Sequence, residues 1–126
     1  MGTPYLIDTN AVIDYLNGKL PASSIVLIDE HIIEISVITR MELLAGPGAT
    51  DIHLEILNNF IANSIVHLLD EPIILKAIEI RKTKRCKLPD DIIAATAIEM
   101  QLTLLTTNSA DFSNIKSLSL TNPYQL

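Results

Sequence analysis

Four carboxylates sit where this chain has a reason to hold acids together: Asp8, Glu42, Asp90 and Asp111. Asp8 ends a short apolar run, "PYLID", and Asp111 lies four residues beyond another, "LLTT". Asp90 stands beside Asp91 at the head of "LPDDIIAATA", a segment otherwise nearly devoid of polar groups. Glu42 has Ile38 at i−4 and Ala45 at i+3, so it falls on or beside a buried helix face, where a carboxylate is costly without a partner. Each has a plainer reading. Asp8 and Asp90 could cap helices, and Asp111 could make an Asx-turn. Jointly, four acids at one end of one sheet point to a hard-cation site. Carboxylates a few ångströms apart repel one another and stay ionised only around a cation. Mg²⁺ or Mn²⁺ takes oxygen ligands, keeps waters and lowers the pKa of one of them. The reaction that follows is metal-assisted hydrolysis of a phosphodiester.

The net charge of −6 argues against a nucleic-acid partner until its distribution is considered. "RKTKRCK" holds five of the nine basic residues: Arg81, Lys82, Lys84, Arg85 and Lys87. The rest of the chain sets 15 acids against the other four bases, a net of −11. The run ends just before Asp90. Cations at a helix C-terminus suit its dipole, but here they are also the best candidates for holding RNA phosphates. The acidic remainder suits a basic partner segment.

Positioning these groups falls to an alternation of strands and helices. "PYLID", "IIEIS", "SIVHLL" and "TLLTT" read as buried strands, with a last edge strand near "SLSL". "TNAVIDYLNG" reads as a helix closed by Gly18, and Pro21 begins a second reaching about Glu30. "SVITRMELLAG" is capped by Ser36 and stopped by Gly46-Pro47-Gly48. "DIHLEILNNFIAN" is amphipathic, with Ile52, Ile56, Leu57, Phe60 and Ile61 on one face. Asp70 caps a long helix with Pro72 in its first turn, and the Asp90 helix follows; "NSADFSN" is a polar turn. The pattern predicts a three-layer α/β/α sandwich around a mainly parallel five-stranded sheet, in which sites form at the carboxyl ends of the strands.

At 126 residues the chain is expected to be one domain, residues 1–126, burying roughly two-thirds of its unfolded surface. Aromatic residues are only 4% and Trp is absent, so the core must be Ile, Leu and Ala. The single cysteine, Cys86, rules out an internal disulfide and fits a reducing, cytoplasmic compartment. The first residues lack a secretory pattern, and no apolar run is long enough to span a membrane. His31, His53 and His67 lack zinc-type spacing.

Three blocks, "LIDTNAVIDYL", "SVITRMELLAG" and "LPDDIIAATAIEMQLTLLTTNSADF", resemble the motif blocks of PIN-domain ribonucleases, particularly VapC-type toxins. The resemblance covers essentially the whole chain, and its specificity lies in the order and spacing of the blocks. It implies an Mg²⁺- or Mn²⁺-dependent ribonuclease, a five-stranded parallel sheet, a homodimer and inhibition by an antitoxin. By resemblance, the first acid is Asp8, the second Glu42, the third Asp90 and the fourth Asp111. Thr9 and Asn10 match the polar pair after the first acid, and Asn108 the Asn preceding the fourth. Asp91 occupies a position often filled by a small residue, which makes it a capping or supporting acid. One departure is Thr107, where relatives often carry a basic residue; it bears on RNA contacts rather than on the fold.

Two other readings compete. A phosphatase or receiver domain also places an acid after its first strand. The dehalogenase type, however, wants a second Asp at position 10, which is Asn, and neither Asp-Thr-Asn nor Glu42 suits a receiver. No glycine-rich phosphate loop is present. The second is a PIN fold that only binds a partner, against which all four acids argue.

Overall fold

The computed structural model describes residues 4–46, 52–83 and 86–126. Its strands are β1 (Tyr5–Ile7), β2 (Glu34–Ser36), β3 (Ile65–His67), β4 (Thr103–Leu105) and β5 (Leu120–Thr121). Between them run helices α1 (Thr9–Leu16), α2 (Ala22–Asp29), α3 (Val37–Ala45), α4 (Leu54–Ala62), α5 (Glu71–Thr83), α6 (Leu88–Glu99) and α7 (Ser109–Phe112). The strands form one sheet in the order β3-β2-β1-β4-β5, and every pairing is parallel.

Side chains alternate across a strand, so neighbours in β1 and β4 serve opposite cores. Leu6 and Leu104 pack with Ile73, Ile80, Ile93 and Phe112 on one face. Ile7, Ile35 and Leu105 pack with Val12, Ile28, Leu43 and Leu57 on the other. A layer of helices therefore covers each face of the sheet. β1 is central and leads to β2 on one side, while β4 joins it on the other. The chain order thus reverses between β1 and β4, and the crevice beyond their carboxyl ends is where open α/β sheets bind ligands.

Local signals account for several of the boundaries. The Ser36 hydroxyl accepts from the Ile38 N–H at 3.0 Å and starts α3. The Asp70 carboxylate accepts from the Ile73 N–H at 3.2 Å and starts α5. Gly18 follows α1 with a φ of 70°, a conformation that glycine adopts without strain. Gly46 ends α3, and a Cβ there would fall 2.5 Å from the Glu42 carbonyl oxygen, so only glycine lets the chain leave the helix this way. Pro47 and Gly48, read as part of that stop, lie outside the described residues.

Some expectations need correction. The segment after β4 contains the short helix α7 rather than only a polar turn, whereas the last strand, Leu120–Thr121, starts within "SLSL" as read. Ile56 is 44% exposed while Leu57 carries the buried face of α4. Capping by Asp90 or Asp91 is also overturned: the residue heading α6 is Lys87, and both acids lie in the first turn. No helix among the described residues is long and apolar enough to cross a membrane.

Candidate active site

The site begins where β1 ends. The Asp8 N–H donates to the Leu105 carbonyl at 3.0 Å, which continues the β1–β4 pairing and puts Asp8 beside Thr106. Asp8 is 6% exposed and does two structural jobs. One oxygen caps α1, accepting the Thr9 N–H at 2.8 Å, and the other accepts the Thr106 hydroxyl at 2.8 Å. Burial pushes its pKa up; the bonds from Thr106 and Thr9 oppose that, and the charge of Glu42 adds to it. The capping reading and the site reading of Asp8 are therefore compatible.

Glu42 comes from α3, half-buried, and is met by the Thr9 hydroxyl at 2.6 Å. The buried Thr39 hydroxyl lies 3.1 Å from that of Thr9. With the single Thr9 proton on Glu42, Thr39 supplies the proton between the two hydroxyls. Asp111 comes from α7, is exposed, and accepts the Asn108 side-chain amide at 2.6 Å. The Asn108 N–H in turn donates to the Thr106 hydroxyl at 3.0 Å. One chain of bonds thus runs from Asp8 through Thr106 and Asn108 to Asp111.

Asp90 comes from the first turn of α6 and is half-buried. Its pKa is pushed up to about 6, first by burial and then by the charges of Asp8, Glu42 and Asp111, with Lys87 opposing. Four acids separated by 103 residues of chain (positions 8 to 111) therefore act on one another in space. A cavity of about 450 Å³ opens at three of them, lined by Asp8, Thr9, Asn10, Glu42, Asp90 and Asn108 with Ile13, Met41, Ala45 and Gly46; Asp111 is not in its lining and joins it through Asn108.

Asp91 points the other way. It is fully buried, and one oxygen accepts Arg81 Nη1 at 3.1 Å. That nitrogen also donates to the Cys86 carbonyl at 3.2 Å. Arg81, half-exposed, is thus engaged by Asp91 and the Cys86 carbonyl, while Lys82 is exposed in the last turn of α5 and Lys87 heads α6. Lys84 and Arg85 lie outside the described residues. The histidines have local roles: His31 meets the Leu27 carbonyl, His67 pairs with Glu34 at 2.7 Å, and His53 heads α4.

Thr106 and Thr39 escaped the sequence reading. The hydroxyl reaching Asp8 belongs to Thr106, one residue before Thr107. The available signal was period-two alternation: continuing it past Leu104 turns Thr106, not Thr107, to the same side as Leu104. Thr39 offered no signal, since a threonine inside a helix is ordinarily a neutral substitution.

Among the described residues no three acidic, His or Cys groups lie close enough to form a ready-made metal cage. The donor set still fits a small divalent cation. Mg²⁺ keeps several waters and binds through one or two carboxylates, so an open cavity edged by oxygen donors is the expected form of its site. The repulsion felt by Asp90 is the electrostatic counterpart of the same arrangement.

Comparison with known proteins bears on the family and the fold. The PIN domain family matches residues 5–118. The chain belongs to the PIN-domain family. A search of curated proteins returned no match. Among solved structures, this PIN domain is similar to a chain of a toxin–antitoxin complex from Klebsiella pneumoniae, with 29% identity and a TM-score of 0.75, covering 97% of this chain and 99% of that one. It is similar also to a chain of DNA-bound VapBC from Salmonella typhimurium, with 25% identity and a TM-score of 0.78, covering 95% and 98%. A chain of VapBC-1 from nontypeable Haemophilus influenzae shares the fold at 22% identity, with a TM-score of 0.79 and 94% and 96% covered.

Proposed function

We propose that this PIN domain is an endoribonuclease dependent on Mg²⁺ or Mn²⁺, acting as the toxin of a toxin–antitoxin pair. The observation that carries the reading is that Asp8, Glu42 and Asp90 line one cavity beyond β1 and β4, with Asp111 held by the cavity residue Asn108 and its charge acting on Asp90. In this reading the acids Asp8, Glu42, Asp90 and Asp111 are the groups that would hold the cation, one or two directly and the others through its waters. A divalent cation held by these residues would supply charge to offset that building on a phosphoryl oxygen and would make a bound water more acidic. Thr9 and Thr106 keep Glu42 and Asp8 oriented, and the bonds they make leave each carboxylate with acceptor capacity to spare. Asn108 holds Asp111, and exposed Asn10 is placed to meet substrate at the cavity mouth.

Lys82, Lys84, Arg85 and Lys87 take the RNA phosphates, with Arg81 anchoring the run to α6 through Asp91. The acid cavity repels a polyanion, so this local positive segment supplies the attraction. Replacing Lys82, Lys84, Arg85 and Lys87 with Gln is expected to flatten the salt dependence of RNA binding, losing about 0.7 of a log–log slope unit per phosphate contact. An unchanged slope returns the segment to helix-end charges. Thr107 bears on how the RNA lies.

The antitoxin assignment rests on similarity to toxin–antitoxin complexes and on the cavity rim, where Met41 is 61% exposed beside the acids. A partner burying Met41 and Leu44 would close the cavity to RNA. A homodimer and a cytoplasmic location complete the reading, the latter supported by the single cysteine. The deciding experiment is cleavage of single-stranded RNA by the purified protein with Mn²⁺ and with EDTA. Cleavage with metal and none in EDTA is expected; undiminished cleavage in EDTA would sink the metal mechanism.

A further inference from the structure

Asp91 is an expensive residue with no evident return in stability. It is 0% exposed, its Oδ2 bonds Arg81, and its Oδ1 has no hydrogen-bond partner among the described residues. A carboxylate withdrawn from water with one oxygen unpaired is destabilising, and a buried ion pair is weak evidence of stabilisation. The positive end of the helix dipole offsets part of this, yet an alanine would pack there at less cost. What the pair can supply is geometric.

Helix α6 has no polar face to set its rotation. Ile93, Ala94, Ala95, Thr96 and Ala97 are all buried, and five consecutive residues point in every direction around a helix. Such a helix gains nearly the same burial in several rotations, and small alanines leave little shape to choose among them. A single buried polar group selects one arrangement, as a polar residue selects register in a coiled coil. Successive residues on a helix are about 100° apart, so Asp91 drawn toward Arg81 turns Asp90 away toward the cavity. The same Arg81 nitrogen holds the Cys86 carbonyl, and the Cys86 thiol donates to the Asp111 carbonyl at 3.7 Å. The knot therefore touches the elements carrying two of the four acids.

We propose that Asp91, held by Arg81, is a positioning residue that fixes the rotation of the first turn of α6 and so aims Asp90 into the acid cavity. This rests on the reading of that cavity as a cation site, but its test needs no RNA. In EDTA at pH 7.5, melting points are compared for the parent, Asp90→Asn, Asp91→Ala and the double variant. Asp90→Asn relieves repulsion in the parent and is expected to raise the melting point by about 3–6 °C. In the Asp91→Ala background, where Asp90 is no longer aimed at the other acids, that rise is expected to fall to about a third. Mn²⁺ affinity, read from the electron-spin resonance of free Mn²⁺, should weaken about tenfold in Asp91→Ala, the scale of removing a supporting partner of a metal ligand. Asp91→Asn keeps an oxygen for Arg81 and is expected to restore affinity to within about threefold of the parent. A merely packed residue would not show that rescue.

The inference is overturned if Asp91→Ala binds Mn²⁺ like the parent and leaves the Asp90→Asn rise intact. A parent whose melting point ignores Asp90→Asn overturns it too. If Asp91→Ala does not fold, the same measurements on Arg81→Gln, which cuts the pair from its half-exposed end, decide the matter. A protein that binds Mn²⁺ and shows the melting pattern but cleaves no RNA would refute the nuclease reading alone.

Discussion

Replacing Asp90 with Asn is expected to slow RNA cleavage about a thousandfold, a loss of about 4 kcal/mol of transition-state stabilisation. Asp90 is the acid on which burial and three other carboxylates act together, so its charge is the one most dependent on a cation for company. Asn keeps the size and removes the charge, so on the proposed mechanism the cavity would hold a cation less tightly. Asp8→Asn should lose as much, although it should keep the cap on α1, because an amide oxygen accepts the Thr9 N–H nearly as well as a carboxylate. The comparison that makes the result specific is Asp91→Asn. That side chain faces Arg81 rather than the cavity, so its loss should be far smaller. The measurement is the single-turnover cleavage rate at saturating Mn²⁺ for the three variants, with folding checked by circular dichroism. Equal losses for Asp90 and Asp91 would show that the wrong acid had been placed in the site.

The second large effect is on stability, and its sign reverses with metal. Without a cation the folded protein holds Asp90 beside three like charges. A carboxyl whose folded pKa is raised is stabilising in its protonated form below its unfolded value near 3.8, and that contribution is lost as the pH rises through about 6. At pH 7.5 in EDTA, Asp90→Asn should therefore be more stable than the parent by about 1 kcal/mol, the full shift being discounted because water reaches the half-buried group. For a chain of this length that is roughly 3–6 °C in Tm. At pH 4 the two proteins should melt nearly together, since Asp90 is then largely neutral. Millimolar Mn²⁺ should raise the parent by mass action, about 2.7 kcal/mol when the ion is a hundredfold above its Kd, and the variant by less. The order of the two melting points should then invert. Four melting curves at pH 7.5 and two at pH 4 check this. A parent unmoved by Mn²⁺ at concentrations that support cleavage would count heavily against the acid site, and a variant less stable in EDTA would show that Asp90 has a structural role.

The alternation of apolar runs and periodic segments determined the layered α/β fold, because burial on both sheet faces demands nearly unbroken apolar strands with amphipathic helices between them. Ser36 and Asp70 marked helix starts legibly, since a cap is a contact between residues two or three apart. The acids themselves were also visible as types in positions, with Glu42 betrayed by its apolar helical neighbours. What the sequence could not determine was which way two adjacent acids face. Asp90 and Asp91 have the same chemistry and the same local surroundings, and only the rotation of α6 against α5 sends one to the cavity and the other to Arg81. Arg81 and Lys82 likewise read as one basic run until the fold engaged the first with a buried carboxylate. Thr106 and Thr39 became site residues only when the β1–β4 pairing and the packing of α3 brought them to Asp8 and Thr9. Short-range contacts are written in neighbouring residues, whereas the orientation of a helix on its sheet is a balance of many distant contacts, and that balance decided which groups meet.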